Sequence, residues 1–129
     1  MYCLDTNVII AIFDGKEEIS KKLERISSQE LFITPINLCE LYKGAVHSQI
    51  TQKRLQFIEK LLQSIGILEF NEFCCRVFGE EYIKLKKLGK PVKDNDLMIA
   101  TIAMAHDKIL ITMDKKDFKN ITDLKLEIW

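Results

Sequence analysis

Apolar positions along the chain fall into two alternating patterns: short unbroken runs, and longer stretches with helical spacing. "YCLD" (2–5) reads as a short buried strand, and the apolar run Val8 to Phe13 as a helix beginning at Asn7. "KEEISKKLERIS" is amphipathic, with Ile19, Leu23 and Ile26 on one helical face. "LFIT" predicts a second strand, closed by Thr34-Pro35, an N-cap residue followed by proline at the first helical position. A helix carrying "INLCELYKGAV" follows, and Leu55, Ile58, Leu62 and Ile65 mark another. "ILEF" (67–70) predicts a third strand. Cys74, Phe78, Leu85 and Leu88 share one face of a long helix that stops at Gly89-Lys90-Pro91. Residues 94–106 open with Asp-Asn-Asp and continue "LMIATIAMAH", apolar on almost every side, as a central buried helix is. "KILIT" and "LEIW" complete the set as a fourth and fifth strand.

Such alternation predicts an α/β fold with a parallel sheet covered by helices on both faces. In these sheets ligands bind outside the carboxyl ends of the strands. Asp5 closes the first strand and Asp114 follows the fourth, so both project toward that edge. Glu40 lies about two turns into the helix leaving the second strand, with Asn37 and Gly44 as neighbours on its face. A glycine there suggests that something packs or binds close by. Asp94 and Asp96 open the central helix.

Each acid also has a plainer reading. Asp5 and Asp94 suit helix N-caps, Asp96 suits the positive end of a helix dipole, and Asp114 and Asp117 suit turns. The plainer readings leave unexplained why strand-end acids recur on one edge. Clustered carboxylates repel unless protonated or bridged by a cation. Oxygen ligands without paired histidine or cysteine suit Mg²⁺ or Mn²⁺, and such a pocket could activate water for phosphodiester hydrolysis. His47 and His106 fall at predicted helix ends and read as surface or capping residues.

Length and composition narrow the picture further. At 129 residues the chain suits a single domain, 1–129, with a real core. Lys+Arg and Asp+Glu both number 19, so no global positive field announces nucleic acid, and any basic groove is local. Lys43, Lys84, Lys86, Lys87, Lys90, Lys93, Lys115 and Lys116 flank the acidic motifs, with Lys43, Lys90, Lys93 and Lys115 the candidate phosphate-gripping set. No apolar stretch spans a bilayer and no signal peptide is visible, so no membrane association is expected. Cys3, Cys39, Cys74 and Cys75 lack metal-type spacing and read as buried free thiols in a reducing cytoplasm.

Four motifs in order, "LDTN" (4–7), "CELYKG" (39–44), "DNDLMIATIA" (94–103) and "ITMDKKDF" (111–118), give the chain a resemblance to the PIN-domain nucleases. It most closely resembles the VapC-like toxins of toxin–antitoxin modules, over essentially its whole length. The resemblance implies a three-layer α/β/α PIN-like domain and a metal-dependent endoribonuclease using Mg²⁺ or Mn²⁺. It further implies an RNA substrate, a VapB-like antitoxin partner and a homodimer. Carried over by position, the catalytic and metal-binding acids are Asp5, Glu40, Asp96 and Asp114, with Thr6, Asn7, Asp94 and Thr112 supporting them. Many VapC-like toxins carry asparagine where Asp114 stands, which makes this pocket the more acidic one. Asp117 matches a family acid before phenylalanine and reads as structural. Other readings stay open: a PIN ribonuclease of RNA processing or decay without an antitoxin, or a non-catalytic binding module on the same scaffold. A phosphotransfer hydrolase with Asp5 as nucleophile fits poorly, because the second acid such enzymes need two residues on is Asn7 here.

Overall fold

A computed structural model describes residues 1–129. Five strands, β1 (Tyr2–Leu4), β2 (Leu31–Ile33), β3 (Gly66–Ile67), β4 (Ile109–Thr112) and β5 (Leu126–Ile128), form one sheet in the order β3-β2-β1-β4-β5. Every pairing is parallel. The helices are α1 (Thr6–Phe13), α2 (Glu17–Leu23), α3 (Pro35–His47), α4 (Thr51–Ser64), α5 (Glu72–Lys87), α6 (Asp94–Ala105) and the single turn α7 (Lys115–Phe118). The expected α/β/α architecture with a central parallel sheet is what the chain adopts.

The two-residue period of the strands divides the core in two. Cys3 and Leu110 point to one face, where they meet Cys74 and Leu85 of α5 and the apolar α6. Leu4 and Ile111 point to the other, against Val8, Ile9, Leu41 and Ile58 of α1, α3 and α4. On α6, Leu97, Ile99, Ala100, Thr101, Ile102 and Ala103 are all buried, so its apolar circumference is spent on the interior. Chain order runs outward from β1 in both directions, through β2 to β3 and through β4 to β5. The switch point of the sheet is therefore the crevice between the carboxyl ends of β1 and β4, and the helix-leading turns open there.

Three expectations need correction. The third strand is Gly66–Ile67 rather than residues 67–70. A Cβ at Gly66 would lie 2.6 Å from the Phe32 ring, so glycine is what lets the strand approach β2. Beyond Ile67 the Leu68 N–H still donates to the Ile33 carbonyl (2.8 Å), but the Glu69 carbonyl turns to accept from His106 Nε2 (2.7 Å) and the Cys74 thiol. Only Cys3 and Cys74 are buried thiols, whereas Cys39 and Cys75 are exposed. Of the two reasons a glycine at 44 suggested, packing within the chain does not hold, since a Cβ there would face open space.

Candidate active site

Asp5 ends β1 and is the N-cap of α1, so its backbone position is fixed from both sides: its N–H donates to the Ile111 carbonyl of β4 (2.9 Å). Its Oδ1 accepts the Thr6 N–H (2.8 Å) and its Oδ2 accepts the Thr112 hydroxyl (2.7 Å). The cap and the site are thus one residue. Only 6 % of Asp5 is exposed, and no cation pairs with it. Burial pushes its carboxyl above the ordinary range, the Thr112 and Thr6 hydrogen bonds oppose this, and the charges of Glu40 and Asp117 add to the rise. Behind Asp5, burial and the Asp5 charge push the Cys3 thiol up strongly, which leaves it inert.

Two hydrogen-bonded chains hold the surrounding groups. From β4, the Thr112 hydroxyl accepts the Asn7 amide (3.2 Å) and the Asp114 N–H (3.0 Å), while Asn7 Oδ1 accepts the Met113 N–H (3.2 Å). Asn7 therefore ties the start of α1 to the end of β4. From β2, Thr34 and Asn37 form a capping box at the start of α3: Asn37 Oδ1 accepts the Thr34 N–H (2.9 Å) and hydroxyl (2.7 Å). Asn37 Nδ2 then donates to Thr6 Oγ1 (2.9 Å), and the Thr6 hydroxyl donates to Glu40 Oε1 (2.8 Å). Glu40 is thereby held toward Asp5 through Thr6. Asn37 is fully buried and organises this chain, although its spacing from Glu40 alone does not single it out.

Asp96 lies in the first turn of α6. Its carboxyl is pushed up to about 6, by burial first and then by the charges of Asp117, Asp5 and Glu40, with Lys93 pulling the other way. Asp114 caps α7, its Oδ1 accepting the Lys116 N–H (3.0 Å). One turn on, Asp117 is raised by burial and by its hydrogen-bonded carboxyl neighbour Asp114, against Lys93 and Lys116. Asp117 also stands near enough to Asp5 and Asp96 for its charge to raise both. Its pairing with Asp114 was legible in the spacing: the N-cap Asp114 and Asp117 of α7 stand i, i+3.

Other candidates fall outside this set. Asp94 is exposed at the first position of α6, where Lys93 is the N-cap, and its side chain makes no hydrogen bond. Lys43 lines an open groove beside Glu40, and Lys93 faces Asp96 and Asp117. Lys90 and Lys115 are exposed. Lys84 is instead engaged by Glu81 (2.9 Å) and Asp123 (3.5 Å), while Lys86 and Lys87 line hollows along α5.

The donors converging on the switch point are carboxylate and hydroxyl oxygens, which suit a hard divalent cation. No three acids are arranged as they stand to hold an ion. Burial first, and then neighbouring carboxylates, raise Asp5, Asp96 and Asp117, and no cation is paired with Asp5. By donor chemistry and charge the residues fit Mg²⁺ or Mn²⁺.

Fold and site together define a PIN domain: the PIN family model matches residues 2–124, and the chain belongs to that family. Among curated proteins it is 37 % identical to Ribonuclease VapC1 of Haemophilus influenzae (strain R2866), over 100 % of this chain and 98 % of that protein. VapBC2 from Rickettsia felis, solved bound to a DNA fragment from its promoter, superposes with a TM-score of 0.92 at 29 % identity, covering 99 % of this chain and 98 % of that one. VapBC-1 from nontypeable Haemophilus influenzae gives 0.89 at 35 % identity, over 99 % and 97 % of the two chains. Its relatives are thus VapC ribonucleases and VapBC toxin–antitoxin complexes.

Proposed function

We propose that the protein is a Mg²⁺- or Mn²⁺-dependent endoribonuclease acting as the toxin of a toxin–antitoxin pair. The observation that carries this is that Asp5, at the sheet's switch point, has Glu40 and Asp117 as its charged neighbours, as Asp96 also does, and no cation paired to it. The identity to a VapC ribonuclease over the full chain supports the RNA substrate, and the VapBC complexes support a VapB-like antitoxin partner. A homodimer and a cytoplasmic location accompany this reading; no helix is long and apolar enough to cross a membrane.

Asp5, Glu40, Asp96 and Asp114 are the residues that would hold the metal. When bound, the ion supplies Lewis-acid polarisation of the scissile phosphate and a more acidic water. Thr112 and Thr6 fix the two Asp5 oxygens so that the carboxylate cannot rotate away, and Thr6 with Asn37 holds Glu40 toward it. Asp117, held above the ordinary carboxylate range by burial and by its hydrogen bond to Asp114, is the acid we assign to take the proton of the attacking water. Water oxygen bonds to phosphorus, the bond to the 3′-oxygen breaks and that oxygen takes a proton from solvent, giving a 3′-hydroxyl and a 5′-phosphate. Lys93 lies where it offsets the approaching phosphodiester charge.

End-labelled single-stranded RNA incubated with purified protein tests the reading. Cleavage is expected with Mg²⁺ or Mn²⁺, is abolished by chelator and leaves 5′-phosphate ends. Undiminished cleavage in excess chelator, with contaminating nuclease excluded, contradicts it.

A further inference from the structure

The acid cluster opens sideways into a groove of about 600 Å³. Thr6 and Glu40 form its inner end, and Ile10 and Ile36 flank it. Along α3 it follows Glu40, Lys43, Gly44 and His47, a stripe at i, i+3, i+4 and i+7, with Asn95 facing from α6. That stripe runs about 10 Å along the helix axis. Its polar groups are unspent: the side chains of Lys43, His47 and Asn95 form no hydrogen bond or ion pair within the protein.

Gly44 is the anomaly in this wall. A glycine inside a helix lowers its stability, and nothing requires it here: its φ is ordinary and a Cβ would meet no atom within 4 Å. The space a side chain would fill is the groove itself. Packing against this chain therefore does not account for the glycine, whereas room for an occupant does.

We propose that this groove seats one nucleotide of the RNA strand beside the bond that is cut. Lys43 and His47 hold its phosphate, Asn95 meets a polar edge of the base, and the missing side chain at Gly44 leaves the room. The chemistry is complementary at both ends. The carboxylate end is where a bound cation would meet the scissile phosphate, and the lysine and histidine end takes the neighbouring phosphate directly. Single-stranded RNA offers the splayed, unpaired base that such a site can read. The proposal rests on the ribonuclease reading, since the groove shares Thr6 and Glu40 with the acids.

Steady-state cleavage of a short labelled RNA by the full-length protein with Mn²⁺ tests it. Gly44→Leu should raise KM at least about tenfold with little change in kcat, because substrate binding is lost while the acids are untouched. The same variant should melt higher than wild type, since leucine favours helix and its Cβ meets open space. Gly79→Leu is the control: this glycine is exposed on α5, also with open space at its Cβ, and should gain stability without altering KM. Lys43→Gln and His47→Gln should each raise KM severalfold. Lys43→Gln should also lower the slope of log KM against log salt by about 0.7, the mark of one lost phosphate contact.

Absence of cleavage by wild type overturns the ribonuclease reading itself. Cleavage with unchanged KM in Gly44→Leu and in Lys43→Gln overturns the groove alone. A changed sedimentation coefficient in Gly44→Leu with KM unaltered assigns the groove to a second copy of the chain, and likewise overturns the proposal. Were Gly44→Leu to melt lower, Lys43→Gln and its salt slope decide.

Discussion

Two acids in this molecule are almost equally hidden, Asp5 at 6 % exposure and Glu81 at 4 %, and they are treated in opposite ways. Glu81 on α5 has a cation: Lys84, one turn on, donates to its Oε1 at 2.9 Å and also reaches Asp123. The lysine is held above its ordinary range by that partnership, so the charge is balanced within the fold. Asp5 has only neutral donors, the Thr112 hydroxyl and the Thr6 N–H, and its charged neighbours are further carboxylates. A buried charge is costly unless paired, so a balanced acid reads as structure and an unbalanced one as a site awaiting a cation from outside. The difference lies in the company each acid keeps, not in burial.

The largest effect that would sharpen this contrast is on catalysis. Asp5→Asn and Asp96→Asn should each lower RNA cleavage by at least about a hundredfold while the protein stays folded. Glu81→Gln should leave cleavage unchanged. Comparable losses in all three would erase the distinction.

Metal should separate the two acids next. If Mn²⁺ binds only the native state, a concentration about a hundredfold above Kd stabilises wild type by roughly 2.7 kcal/mol. Melting curves with chelator and with Mn²⁺ should show this gain in wild type and in Glu81→Gln, a smaller gain in Asp114→Asn and almost none in Asp5→Asn.

A smaller effect is written in pH. The Asp96 carboxyl stands at about 6 folded, above its unfolded value near 3.9. The folded state therefore binds the proton more tightly, and the stabilisation this gives is fully present below about pH 4. It is lost as pH rises through about 6. Discounted for the half-exposed position of Asp96, the loss is on the order of 1–2 kcal/mol. Metal-free protein should melt higher at pH 5 than at pH 7. Asp96→Asn should flatten that dependence and melt above wild type at pH 7.

The smallest effect is purely structural. Glu81→Gln removes a balanced charge and should lower the melting temperature by about 2–4 °C, with or without metal. Opposite signs in metal-free melts, Asp96→Asn upward and Glu81→Gln downward, are the outcome that the charge argument requires.

Much of this arrangement was legible in the pattern of residues. Alternating apolar runs and helical spacings announced the parallel sheet, and strand-end Asp5 and Asp114 pointed to its carboxyl edge. What escaped was set by tertiary contact. Asp117 reads locally as structural, and its nearness to Asp5 and Asp96 comes only from the fold. Asn37 reads locally as a neighbour of Glu40, yet its weight comes from Thr6, 31 positions away. The Lys84 charge looked available to a substrate until α5 set it beside Glu81 and Asp123. The third strand was misplaced because Gly66 pairs only by slipping under the Phe32 ring. Asp5 had two readings, cap or site, and the structure makes them compatible: the cap fixes the carboxylate that faces the cluster.

The most direct test of the central claim is Mn²⁺ binding by titration calorimetry at pH 7 on wild type, Asp5→Asn and Glu81→Gln. Binding is expected to wild type and Glu81→Gln alike, with affinity lost in Asp5→Asn. Equal affinity in wild type and Asp5→Asn would contradict it, because the unbalanced acid at the switch point would then hold no part of the cation site.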